Sequence, residues 1–154
     1  RGNFLIGILQ RKLDAVQNMY STGFEIRHFS LLAVMSMYGI ELLADNIAEC
    51  RQNVLEVLVT HLELDGEDPL LHAASYVLSQ NLIHGDALTM KTVKGSADIT
   101  FAEWEWLGKG KYRRRDFRYD GLKAVREEGE LFPPDKVYPK MTMLELAELG
   151  GNNG

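Results

Sequence analysis

The sequence predicts a mainly α (α+β) fold, a helical bundle of three or four main helices with an antiparallel β-hairpin at about 97–119 and an extended proline-rich C-terminal arm. Three observations carry this. Apolar residues recur at helical spacing through most of the first 84 positions, the pattern changes to alternation in ADITFAEWEWLGKGKYRRRDFRY, and three prolines crowd into 133–139. With 154 residues, 45% hydrophobic and 25% charged, the chain is sized for one core. A single domain over 1–149 is expected, with a helical body at about 3–84, the hairpin segment at about 88–119, an arm and short helix at about 120–149, and a flexible tail at 150–154.

Phe4, Leu5, Ile8, Leu9, Leu13, Val16 and Tyr20 fall on one stripe of a first helix, opposite Gln10, Arg11, Asp14 and Gln17. Ser21, Thr22 and Gly23 supply a stop and an N-cap, and Glu25 sits in the first turn of a second helix, where its charge suits the dipole. That helix is apolar on nearly every side from Phe29 to Leu43, as expected of a central element. Beyond Gly39 the helical period runs on to about Leu62, either as one kinked helix or as two in succession. Pro69, after the acidic turn ELDGED, suits the first position of a further helix that His84-Gly85-Asp86 closes. Leu88 to Val93 alternates weakly and reads as a short strand. After the hairpin, Leu122 to Glu128 suits a short helix, 132–139 must be extended, and Thr142 with Glu145 forms a capping box ahead of a last helix ending at Gly150.

The net charge of −5 and pI near 5.4 argue against a surface that binds nucleic acid or membrane all over. The uncharged stretch His28 to Ile40 is shorter than the roughly 20 residues that span a bilayer, so no membrane partner is expected. A single cysteine, Cys50, leaves no disulfide framework or cysteine-rich zinc site and points to a reducing, cytoplasmic setting. The first residues lack a signal-peptide pattern, and an Arg at position 1 is expected of a processed or trimmed chain.

Among candidate chemistries, Glu25 and His28 form an E-x-x-H on a helix, as carboxylate-bridged metalloenzymes use, but no second copy follows. No phosphate loop, dinucleotide fingerprint or nucleophile elbow is present, and no cofactor is expected. The strongest compositional signal is the hairpin. Six Lys or Arg and one Asp give 109–118 a charge of +5 in a chain of −5, interleaved with Trp104, Trp106, Tyr112, Phe117 and Tyr119.

Register decides how that cluster is read. With Gly108-Lys109-Gly110 as a three-residue loop, Leu107 faces Lys111, and the pairs are Trp106/Tyr112, Glu105/Arg113, Trp104/Arg114, Glu103/Arg115 and Phe101/Phe117. Two arginines are then neutralised within the hairpin. The first expectation is a non-enzymatic interaction or structural subunit of an oligomer or larger assembly. Its protein partner, a second copy or another subunit, would meet Trp104, Trp106, Tyr112 and Phe117. The alternative is a nucleic-acid-binding protein using Lys109, Lys111, Arg114 and Arg118, and a metalloenzyme at Glu25 and His28 is the third.

Overall fold

The computed structural model describes residues 3–118 and 133–151; the short helix expected at 122–128 and the last three tail residues lie outside them. The fold is mixed α+β. In chain order the elements are α1 (Asn3–Met19), α2 (Gly23–Met35), β1 (Gly39–Glu41), α3 (Ala44–Leu62), α4 (Pro69–Asn81), β2 (Leu82–Asp86), β3 (Lys91–Thr92), β4 (Thr100–Gly108), β5 (Lys111–Arg118), β6 (Lys136–Val137), β7 (Met141–Thr142) and α5 (Met143–Gly151).

Local chemistry sets the helix ends. Thr22 caps α2 by accepting from the Glu25 amide at 3.1 Å. Asp68 caps α4 by accepting from the Leu70 amide at 2.8 Å, with Pro69 at the first helical position. The Thr142–Glu145 box is reciprocal: Thr142 N–H donates to Glu145 Oε1 at 3.0 Å, and Glu145 N–H donates to Thr142 Oγ1 at 3.2 Å. The stretch from Gly39 is neither a kinked helix nor a direct second one. Helix α2 stops at Met35, a strand follows, and α3 starts at Ala44. The end of the α4 stretch is likewise a strand, β2, which pairs parallel with β1 through Gly39/Leu82, Ile40/Ile83 and Glu41/His84.

The most connected element is α4 rather than α2: it packs against α2, α3, α5, β2 and β4. Its inner face is Leu70, Ala73, Ala74, Val77 and Leu78, all fully buried, and the two alanines let neighbours come close. Helix α5 uses that space. A Cβ on Gly150 would stand 2.2 Å from the His72 carbonyl oxygen, so only glycine permits the approach seen there. Leu9, Leu13, Leu31, Val34, Val54, Leu58 and Leu146 are fully buried in the same core.

Among the described residues there are two small sheets. One has the order β1-β2-β3; the other has β4-β5-β6, with β7 also on β5. The hairpin pairs Phe101/Phe117, Glu103/Arg115, Trp104/Arg114, Glu105/Arg113 and Trp106/Tyr112. Its turn differs from the expected three-residue loop. Gly108 rather than Leu107 faces Lys111, and a register shift between Trp106 and Gly108 absorbs Leu107. Lys109 and Gly110 at φ 53° and 76° then form a tight two-residue turn with both central residues left-handed, the geometry that matches strand twist. The bulge thus combines a two-residue turn with the strand register that a three-residue loop would give.

Candidate functional site

Alternation along β4 and β5 sorts the hairpin into two faces. The outer face carries the pairs Glu103–Arg115 and Glu105–Arg113, the second at 2.8 Å, and the Arg115 guanidinium stands 5.7 Å over the Phe117 ring. The Arg113 hydrogen bond holds the Glu105 carboxyl below the usual carboxylate range. Phe117 is half-buried on this face.

The inner face lies on the chain's own helices. Trp104 Nε1–H donates to Asn81 Oδ1 at 2.9 Å, and Asn81 in turn donates to the Met35 carbonyl at 3.0 Å. Tyr112, 1% exposed, donates its hydroxyl to the His28 carbonyl at 2.6 Å, and burial raises its pKa. Trp106 packs against Phe29 and His28 with ring centroids 5.3 and 5.6 Å away. Trp104, Trp106 and Tyr112, expected to face another chain, pack in this structure on the chain's own α2 and α4, Tyr112 fully and the two tryptophans partly buried. The rings cover apolar surface of α2 and α4, and helix groups accept from the polar tips of Trp104 and Tyr112.

Arg114 has a different environment from the exposed cation expected. It is 8% exposed and bonds Asp116 in a two-point fork, Nε to Oδ1 at 2.8 Å and Nη2 to Oδ2 at 3.1 Å. Tyr76 Oη lies 3.1 Å from Arg114 Nη1, Tyr138 donates its hydroxyl to Asp116 Oδ2 at 2.9 Å, and the guanidinium sits 4.4 Å over the Tyr138 ring. This network joins α4, β5 and Tyr138, which follows β6. Burial, followed by the bond to Asp116, raises the Tyr138 pKa. Arg118 pairs with Asp135 at 3.1 Å. Of the four residues expected to bind nucleic acid, Lys109 and Lys111 at the hairpin tip are exposed with no carboxylate partner among the described residues.

Glu25 accepts from Thr22 Oγ1 at 2.8 Å, and His28 Nδ1 lies 2.8 Å from the Phe24 carbonyl, so both complete local helix contacts. No group of three or more His, Cys, Asp or Glu among the described residues is arranged to hold a metal ion. No helix among them is long and apolar enough to cross a membrane.

A second feature lies outside the hairpin. Phe4 and Leu5 of α1, Tyr38, Gly39 to Glu41 of β1, Asn46, Ile47 and Cys50 of α3, and Leu82 line an open apolar groove. Phe4 is 79% exposed, and Leu42 and Leu43, which follow the groove's Glu41, are 56% and 58% exposed. Tyr38 is held rigid at the groove wall, since its hydroxyl donates to the Ala102 carbonyl at 2.5 Å. Burial, and then the nearby Glu103, raise its pKa. Burial likewise raises the Cys50 thiol.

Helical periodicity hides this groove: Phe4 and Leu43 count as core positions on a helical wheel. The signal available in the sequence is Gly39, a helix-disfavouring residue three positions ahead of the pair Leu42 and Leu43. Comparison with family models, with curated proteins and with solved structures yields no match to this chain.

Proposed function

We propose that the chain is a non-enzymatic interaction subunit of an oligomer or larger protein assembly, and that it meets its partner through the groove beside β1. The observation that carries the reading is one concave apolar surface lined by exposed Phe4 and Tyr38, with exposed Leu42 and Leu43 directly after its Glu41 in the chain. Each side chain is costly to leave in water, and burying one large apolar side chain contributes about 1.5–3 kcal/mol. The free thiol of Cys50 in the same groove fits a reducing, cytoplasmic setting.

The nucleic-acid alternative loses support from the hairpin geometry. Arg113, Arg114, Arg115 and Arg118 all pair with carboxylates, which leaves a tip of two lysines.

The test is isolation of the tagged chain from its own cells beside the variant Phe4→Ser, Leu42→Ser, Leu43→Ser. The intact chain is expected to retain a stoichiometric protein, either a second copy or another subunit, that the variant releases while keeping the same circular dichroism. Equal retention by both forms, or a bare monomer from the intact chain, refutes the reading.

A further inference from the structure

We infer that the occupant of this groove is an extended peptide segment of alternating apolar and Lys or Arg residues, which adds to the open edge of β1 as a further strand. The inference rests on the interaction reading above and deepens it by naming the partner's chemistry. Among the described residues β1 pairs with β2 alone, so one side of Gly39–Glu41 carries backbone groups that no neighbouring strand takes up. Such an edge is a template for strand addition, with main-chain bonds supplying affinity and alternate side-chain pockets supplying specificity.

The groove runs along β1, since Gly39 to Glu41 form part of its lining. Phe4 and Leu5 of α1 contribute one apolar flank, Ile47 of α3 another, and the anchored Tyr38 ring a fixed wall. An added strand would turn every second side chain into this space and the others toward solvent. Preformed walls keep the ordering cost of binding low.

Charge selects the partner. Glu41 is the charged residue among those lining the groove, and Asn46 Nδ2 donates to its Oε1 at 2.9 Å. Asp45 and Glu49 stand exposed on the first two turns of α3. Basic side chains on the solvent-facing positions of the added strand would meet this rim. A second copy docked across a twofold axis would instead bring Glu41, Asp45 and Glu49 toward their own counterparts, which is repulsive.

The experiment is selection of a random twelve-residue peptide library against the full chain, with counter-selection on Phe4→Ser, Leu42→Ser, Leu43→Ser. Enriched sequences are expected to alternate apolar residues with Lys or Arg. Synthetic copies should bind about tenfold more weakly to Glu41→Gln, Asp45→Asn, Glu49→Gln, and more weakly as salt rises from 50 to 300 mM. N-methylation of one alternate set of peptide amides should abolish binding while the other set tolerates it; this leaves the protein's fold untouched.

Enrichment of acidic peptides, of helical periodicity, or of no sequence at all overturns the strand-addition inference. Equal tolerance of both methylation patterns does the same. If native co-isolation still shows partner retention that depends on Phe4, Leu42 and Leu43, the interaction reading stands and only the occupant's chemistry falls. If that dependence is also absent, both fall.

Discussion

Asp116→Ala isolates the contact that links β5 to Tyr76 of α4 and to Tyr138 beyond β6. The substitution removes both oxygens that the Arg114 fork uses, at 2.8 and 3.1 Å, and leaves a guanidinium that is 8% exposed. It also removes the acceptor of the Tyr138 hydroxyl. Breaking a buried pair by deleting one member costs about 3–5 kcal/mol, because the remaining charge stays desolvated without compensation. With a urea m-value of about 2 kcal/mol/M, the denaturation midpoint should fall by about 1.5–2.5 M.

Three companions make the argument specific. Asp116→Asn keeps one acceptor oxygen and should lose about half as much. Arg114→Met with Asp116→Leu removes both charges and should regain most of the loss, since exchanging a buried pair for apolar residues is often neutral. Hydrogen exchange in Asp116→Ala should quicken at 135–138, where Asp135 and Tyr138 amides donate to the Asp116 and Arg114 carbonyls at 2.8 and 2.9 Å. A loss under about 1 kcal/mol, or a double variant no more stable than the single one, would show that the pair does not hold Tyr138 in place.

Three further outcomes follow from the packing. The chain has two tryptophans, both on the hairpin's inner face, so emission reports that face directly. Weak acrylamide quenching that is unchanged on dilution to a monomer is expected, and strong quenching in the monomer would return the aromatic face to a partner chain. Gly150→Ala should destabilise by about 1–3 kcal/mol, because the new methyl meets the His72 carbonyl, whereas Gly151→Ala, with open space around it, should be neutral or gain a few tenths of a kcal/mol. Equal effects in thermal melts would contradict the close α4–α5 approach.

The third concerns Asp68, whose carboxyl the Arg27 hydrogen bonds, at 2.6 and 3.1 Å, hold below the ordinary carboxylate range. The unfolded chain therefore takes up this proton first as pH falls. The stabilisation is complete above the ordinary value of 3.8 and is lost below it. Arg27 is about a third exposed, so the pair contributes about 1 kcal/mol, and Arg27→Gln should remove that much of the acid dependence measured by urea titration between pH 6 and 3. An unchanged pH profile would contradict it.

How far the sequence reaches depends on how local the determining contacts are. The helix caps at Thr22, Asp68 and Thr142 can be read from residues within three positions of one another, and the structure places their bonds there. The hairpin register is legible because alternation and opposite charges agree on it; only the tip, where the bulge absorbs Leu107, needs three dimensions.

The β1–β2 pair is invisible to periodicity. Its strands have three and five residues, lie some forty positions apart, and continue apolar runs that already fit a helix. The same reasoning shows why Arg114 looks free in the sequence. Counting cross-strand partners sets it against Trp104, whereas its carboxylate is Asp116, two residues along the same face, and its other neighbours, Tyr76 and Tyr138, lie on α4 and beyond β6. The aromatic face shows one further limit. Its composition suits an interface, but composition alone does not tell a chain's own helices from another chain's.

Hydrogen exchange of the chain alone and with its co-isolated partner tests the central claim most directly. Binding should slow exchange in Phe4 to Ile8 and in Tyr38 to Leu43, with the Glu103 and Arg115 region of the outer hairpin face unaffected. Protection confined to the hairpin, with none at Tyr38 to Leu43, would contradict the groove as the interaction face.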